Sequence, residues 1–143
     1  MQQLAVKLAD LSQKGDVFLL DGELGAGKSF FSRQFIKHIG RKQGYDIKEV
    51  PSPTFTLVQT YDQLQPAIWH FDLYRLSCAD EVYELGLEEA AKNAICLIEW
   101  PSRLADDLPE NTLNIFFKHD GLESRNLEFV LNSHWATRLK HLF

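Results

Sequence analysis

An α/β fold with a mixed, mainly parallel central sheet flanked by helices is the expectation set by three features of this chain. Two short β-favouring apolar runs, Val17-Phe18-Leu19-Leu20 and Ala94-Ile95-Cys96-Leu97-Ile98, lack the alternation of a strand with one wet face. Both therefore read as parallel strands buried on both sides. The first run leads directly into a glycine-rich stretch, Gly22 to Gly27, which in turn opens a segment with apolar residues at helical spacing. Helical and strand-like segments follow to the C-terminal end, the signature of helices layered on a sheet. With 143 residues and 45% apolar content, the chain suits a single domain over 1–143 with one core.

Taken in order, Leu4, Val6, Leu8 and Leu11 recur at mostly helical spacing before Lys14-Gly15, predicting an amphipathic helix over 2–14. After the first strand and the glycine stretch, Phe31, Phe35 and Ile39 share one helical face from Ser29 to Ile39, with Gly40 as its stop. Residues 54–61 and 67–73 flank the turn-rich Asp62-Gln63-Leu64-Gln65-Pro66 and read as an antiparallel hairpin. Residues 79–93 read as one or two short helices broken near Gly86. The second apolar strand follows, closed by Glu99-Trp100-Pro101, and then strands at 111–118 and 124–131 and a helix from Ser133.

Composition excludes several classes of function. A net charge of −5 argues against a protein that grips nucleic acid alone, because phosphate binding is driven by clustered Lys and Arg. Lys37, His38, Arg41 and Lys42 do gather near a helix end, where cations also complement the helix dipole. No apolar run approaches the roughly 20 residues that span a bilayer, and no basic stretch followed by an apolar one opens the chain, so the reading is soluble, cytoplasmic and without a membrane partner. Cys78 and Cys96 lack metal-site spacing and read as reduced structural thiols.

Gly22-Glu23-Leu24-Gly25-Ala26-Gly27-Lys28-Ser29 matches the full phosphate-loop signature, and the strand before it and helix after it are the context that motif requires. Glycines let successive N–H groups turn inward, and the helix N-terminus adds partial positive charge. Lys28 is placed to reach β and γ phosphates, and the Ser29 hydroxyl to ligate Mg2+. The expected ligand is thus a purine nucleoside triphosphate with Mg2+, held by residues 22–29 with Phe30 adjoining.

Such a site needs a carboxylate at the end of a neighbouring strand, because Mg2+ keeps waters that must be held opposite the phosphates. Glu99, ending the continuous apolar run, is preferred as the magnesium ligand over Asp72, whose strand Ile68-Trp69-His70-Phe71 carries a polar interruption that suits a hairpin edge. Asp72 is expected to orient the attacking water or a magnesium-bound one. Arg75 either steadies transition-state charge or pairs with Asp72. Ser52-Pro53-Thr54-Phe55 is placed to close over the γ-phosphate with the Thr54 hydroxyl, or else is an ordinary turn before a strand.

These motifs together resemble the TsaE (YjeE) family, bacterial ATPases of tRNA threonylcarbamoyladenosine modification. The phosphate loop, Ser52-Pro53-Thr54-Phe55-Thr56-Leu57-Val58, His70-Phe71-Asp72-Leu73-Tyr74-Arg75-Leu76, Glu84-Leu85-Gly86 and Ile98-Glu99-Trp100-Pro101 occur in that family's order, over roughly residues 15–103. The resemblance implies an ATP-hydrolysing P-loop fold with Ser29 and Glu99 near magnesium and Lys28, Asp72 and Thr54 in catalysis. It also implies action with the TsaD and TsaB proteins, tRNA being met only through that complex. Ser29 stands where the family commonly has Thr, and it keeps the hydroxyl. Trp100 and Arg125 are weighed as neighbours of the nucleotide, ordinary packing being the alternative for Trp100.

Three other functions share the phosphate loop. A small-molecule kinase would add an arginine-bearing lid, whereas the six arginines here are scattered. A nucleotide-gated binding module with little catalysis would not require Lys28, Ser29, Asp72 and Glu99 together. A GTP switch would carry Asn-Lys-x-Asp, which is absent from the sequence.

Overall fold

A computed structural model describes residues 1–104, 108–109, 112–120 and 124–140. Helix α1 (Gln2–Leu11) precedes strand β1 (Val17–Gly22) and helix α2 (Lys28–Lys42). The hairpin β2 (Val58–Tyr61) and β3 (Ile68–Asp72) follows, then α3 (Ala79–Glu84), α4 (Leu87–Asn93) and β4 (Ile95–Glu99). A 3-10 turn at Pro101–Leu104, strands β5 (Thr112–Asp120) and β6 (Ser124–Val130), and helix α5 (Ser133–Leu139) complete the order.

The six strands form one sheet in the order β2-β3-β4-β1-β5-β6. β3, β4, β1 and β5 run parallel, and β2 and β6 are antiparallel strands at the two edges. β1 is thus interior, and its residues alternate between two cores. Phe18 and Leu20 pack with Leu8, Phe31, Phe35 and Trp135 on one face. Val17 and Leu19 pack with Phe71, Val82, Leu87 and Ile98 on the other. The mainly parallel sheet buried on both faces is what the apolar runs predicted.

Several boundaries differ from expectation for local reasons. α1 stops at Leu11 rather than 14, because Ser12 Oγ donates to the Ala9 carbonyl at 2.6 Å and the Asp16 carboxylate accepts from Gln13 N at 2.7 Å. Such side chains offer the backbone an alternative to the helix. Gly40 does not end α2, which continues to Lys42. A β-carbon at Gly40 would lie 2.7 Å from Ile47 Cδ1, so this glycine admits a close neighbour instead of capping a helix. The first hairpin strand begins only at Val58, since Leu57 N donates to the Pro53 carbonyl at 2.7 Å and closes a turn over 54–56.

β3 is not an edge strand as its histidine suggested. It lies between β2 and β4, with His70 and Asp72 both buried. The strand expected from 111 begins at Thr112, residue 111 lying outside the described residues, and it runs through His119 to Asp120. Gly86 divides α3 from α4 as expected. Of the basic cluster, His38 and Lys42 both meet Asp10 at 2.8 Å and hold its carboxyl below the usual range, so they fasten α2 to α1. Cys96 is buried, its thiol pushed up to about 12 by desolvation, and Cys78 is exposed just before α3. Among the described residues no helix is long and apolar enough to cross a membrane.

Arg138 ties the C-terminal helix to the start of β1. Its Nη1 and Nη2 donate to the two Asp16 oxygens at 2.8 Å each, Nη2 also donates to the Leu11 carbonyl, and the guanidinium lies 4.0 Å over the Trp135 ring. Both partners are largely shielded from water. Removing one member of such a pair leaves the other charge buried, at a cost of about 3–5 kcal/mol. Arg138→Leu is therefore expected to lower unfolding free energy by about 3 kcal/mol in urea titration. A loss under about 0.5 kcal/mol, the range of ordinary surface substitutions, would show that the pair does not anchor the helix.

Candidate functional site

The parallel strands β1, β3 and β4 end on the same side of the sheet, and their succeeding segments meet there. β1 passes into the loop 23–27, and Gly27, at φ +110, is the residue before α2. An L side chain at Gly27 would be strained at that φ and would strike Met1, so the turn that aims α2 depends on glycine. The N-terminus of α2 has no side-chain cap and no acid in its first turn, which leaves its N–H groups to an outside acceptor.

Lys28 is buried at the start of α2. Its Nζ donates to the carbonyls of Gly22 and, at 3.4 Å, Glu23, and lies 3.5 Å from the centre of the Trp100 ring. Burial lowers its ammonium pKa, and the charges of Glu99, Asp21 and Asp72 act in the opposite sense. Ser29 Oγ donates to Glu99 Oε1 at 3.0 Å, and Glu99 Oε2 lies 2.5 Å from His70 Nε2. Beside this line, Asp72 Oδ2 accepts from Thr54 Oγ1 at 2.8 Å and Oδ1 from Tyr74 N at 3.1 Å. Thr54 Oγ1 is in turn 2.7 Å from Ser52 Oγ. Asp72 and Glu99 are paired neighbours in the β3–β4 register, so both carboxylates stand side by side.

These groups open onto a cleft of about 290 Å³. Leu24, Gly25, Gly27, Lys28, Ser29 and Phe30 line it from the loop and α2, and Thr54, Asp72 and Glu99 line it from the opposite side. Gly22, Glu23 and Ala26 lie behind: Gly22 and Glu23 present carbonyls to Lys28, and Ala26 is buried in the core. Larger cavities exist elsewhere, one of about 640 Å³ at the other end of β1 beside Gly15 and Asp16. That cavity has neither the loop nor the paired acids. Arg75 does not pair with Asp72; its guanidinium lies 4.4 Å over the exposed Phe55 ring.

A family model described as "Threonylcarbamoyl adenosine biosynthesis protein TsaE" matches residues 1–127. The chain belongs to the TsaE family. Proteins called "tRNA threonylcarbamoyladenosine biosynthesis protein TsaE" are similar to it in Rickettsia felis (46% identity, 69% of this chain and 56% of that protein) and Bacillus subtilis (35%, 89% and 77%). The Haemophilus influenzae protein of that name is 36% identical over 92% of this chain and 80% of its own length. The match spans little more than half the length of the Rickettsia felis relative. The crystal structure of Bacillus subtilis YdiB superposes with a TM-score of 0.73 at 26% identity, over 99% of this chain and 88% of that one. The TsaE match thus extends on both sides of the 15–103 stretch whose motifs suggested it, and the P-loop fold agrees with the neighbour.

One residue of this TsaE-family site escaped the sequence reading. His70 looked like a polar blemish in an edge strand, yet period-two alternation places it on the face of Asp72, and burial directs its ring to Glu99. Trp100 is not simply packed. At φ +60 it turns its ring over Lys28, with Tyr74 5.0 Å away. No periodicity marks a residue beyond a strand end, so only the fold reveals that contact. The side chain of Arg125 lies outside the described residues.

The Thr54–Asp72 bond joins the 52–56 loop to β3, and hydrogen bonds to charged groups contribute about 1.5–3 kcal/mol. A double-mutant cycle of Thr54→Val and Asp72→Asn is expected to give a coupling of about 1–2 kcal/mol in urea unfolding. Additive effects would show that the hydroxyl does not hold the loop.

Proposed function

We propose that this chain binds ATP with Mg2+ in the cleft between the phosphate loop and the paired acids, and hydrolyses it. In this reading it is the nucleotide-dependent member of a cytoplasmic assembly with TsaD and TsaB that transfers threonylcarbamoyl to adenosine in tRNA. The observation that carries the reading is the meeting of Lys28 and the uncapped start of α2 with Ser29–Glu99 and Thr54–Asp72 across one cleft. The name shared by the relatives supplies the tRNA pathway. A net charge of −5 suits a subunit that meets tRNA through partners instead of gripping it alone.

The donors fit the metal. Mg2+ prefers oxygen ligands and keeps several waters, so one or two protein oxygens plus phosphates suffice. Ser29 Oγ and Glu99 Oε1 are such a pair, and among the described residues no cluster of three or more His, Cys, Asp or Glu forms a self-contained cage. When bound, the ion would neutralise negative charge on the phosphates. The first-turn N–H groups of α2 hold the phosphates, and Lys28 exchanges the Gly22 and Glu23 carbonyls for phosphate oxygens. Asp72 accepts a hydrogen bond from the attacking water and orients it. Water oxygen then bonds to the γ phosphorus as the bond to the β–γ bridging oxygen breaks, ADP leaves with that oxygen, and one of the water's protons passes to an oxygen of the phosphate product. Thr54 links that acid to the 52–56 loop, through which the γ-phosphate is sensed.

Lys28→Ala is expected to weaken ATP binding at least about tenfold in calorimetry, since a charge-assisted contact is lost; unchanged affinity would overturn the phosphate-loop reading. Glu99→Gln is expected to weaken magnesium-dependent binding about tenfold. Asp72→Asn should keep affinity and slow single-turnover hydrolysis by about 100-fold or more. Wild-type behaviour of both acid variants would sink their assignment. For the partners, co-purification with TsaD and TsaB should depend on ATP and be accompanied by tRNA modification. Absence of association in every nucleotide state would remove them from the function.

A further inference from the structure

Glu99 divides its two oxygens between different partners, Oε1 toward Ser29 Oγ at 3.0 Å and Oε2 toward His70 Nε2 at 2.5 Å. Both Glu99 and His70 are 1% exposed, so water does not compete for that second contact. A carboxylate only accepts, so Nε2 is the donor. Among the described residues Nδ1 is buried without a hydrogen-bond partner. Packing alone does not account for an imidazole at this place: an apolar side chain would fill it without an orphaned nitrogen, and a buried unsatisfied polar group costs about 1–3 kcal/mol. What the ring provides in return is one N–H aimed at Glu99.

We propose that His70 is a positioning residue for the metal site: its Nε2–H fixes Oε2 of Glu99 and thereby turns Oε1 toward Ser29, so that the oxygen pair is oriented for Mg2+ in advance. This rests on the reading that Ser29 and Glu99 hold magnesium. Buried partners of this kind orient ligands in metal sites generally, and losing one costs about 10–100-fold in metal affinity. Glu99 without His70 is free to rotate, and its Oε1 no longer keeps the Ser29 distance. Because the contact lies behind the cleft, the phosphate contacts of the loop do not depend on it.

The test is the ratio of two dissociation constants for a non-hydrolysable ATP analogue, one measured by calorimetry in EDTA and one in excess Mg2+. His70→Asn and His70→Leu are expected to reduce the gain from magnesium about tenfold while leaving the EDTA value unchanged. His70→Gln, whose terminal amide N–H reaches the place of Nε2, is expected to restore the gain. Asn keeps a polar group of similar bulk but puts its N–H at the Nδ1 position, and thermal unfolding checks that all three variants remain folded. An undiminished gain in folded His70→Asn, or failure of folded His70→Gln to restore it, overturns the proposal. Glu99→Gln separates the two levels. If it abolishes the gain and His70→Asn does not, only the positioning role falls; if it leaves the gain intact, the magnesium reading itself falls and takes this inference with it.

Discussion

Because β1 is covered on both faces and flanked on both sides by parallel strands, its direction and depth are fixed before any polar residue of the site is considered. Parallel neighbours turn their C-terminal ends to the same side as that of β1. That constraint brings Gly22, Asp72 and Glu99, far apart in the chain, to one edge of the sheet. The loop after β1 then has a single role to fill: to reverse the chain so that the start of α2 faces that edge. Phe31 and Phe35 hold α2 against β1 through Phe18, with ring centroids 5.2 Å apart for Phe18 and Phe35, so the helix N-terminus cannot drift from the acids.

The electrostatics of the edge are arranged around that alignment. Two buried carboxylates side by side repel one another, and each is kept in place by its own donors: Ser29 and His70 for Glu99, Thr54 and the Tyr74 amide for Asp72. Lys28 sits among them with its charge disfavoured by burial and favoured by the acids. A buried cation resting on two carbonyls and an indole ring has only soft, neutral contacts. A phosphate oxygen offers it a stronger, charge-assisted one. The edge therefore carries positive charge at Lys28 and negative charge at Asp72 and Glu99.

The second side of the cleft is built differently. Thr54 belongs to a loop, exposed at Phe55, that is joined to β3 by the Thr54 hydroxyl on the Asp72 carboxylate and to β2 by Gln59 Nε2 donating to Thr56 Oγ1. Arg75 over Phe55 adds a contact at the rim. Whatever alters the surroundings of Asp72 is thus felt directly by residues 52–56, whereas Glu99 reports inward to His70 and the core. Neighbouring acids in one register are connected to opposite parts of the molecule.

What the sequence by itself determined was the part written in contiguous residues. Two unbroken apolar runs required interior parallel strands, and the eight-residue glycine stretch with Lys28 and Ser29 required a tight turn between strand and helix. The acids at strand ends were legible because a strand end is a local property. Tertiary structure alone decided what depends on neighbours across the sheet. His70 read as the mark of an edge because a polar residue in a strand usually faces water; pairing of β3 with both β2 and β4 buries it and turns it onto Glu99. Gly40 read as a helix stop because glycine usually is one, but Ile47 packs where a side chain would be. Trp100 and Arg75 found rings and cations that no spacing encodes. Local signals specify backbone direction; the partner of a buried polar side chain is set by register, which belongs to the sheet as a whole.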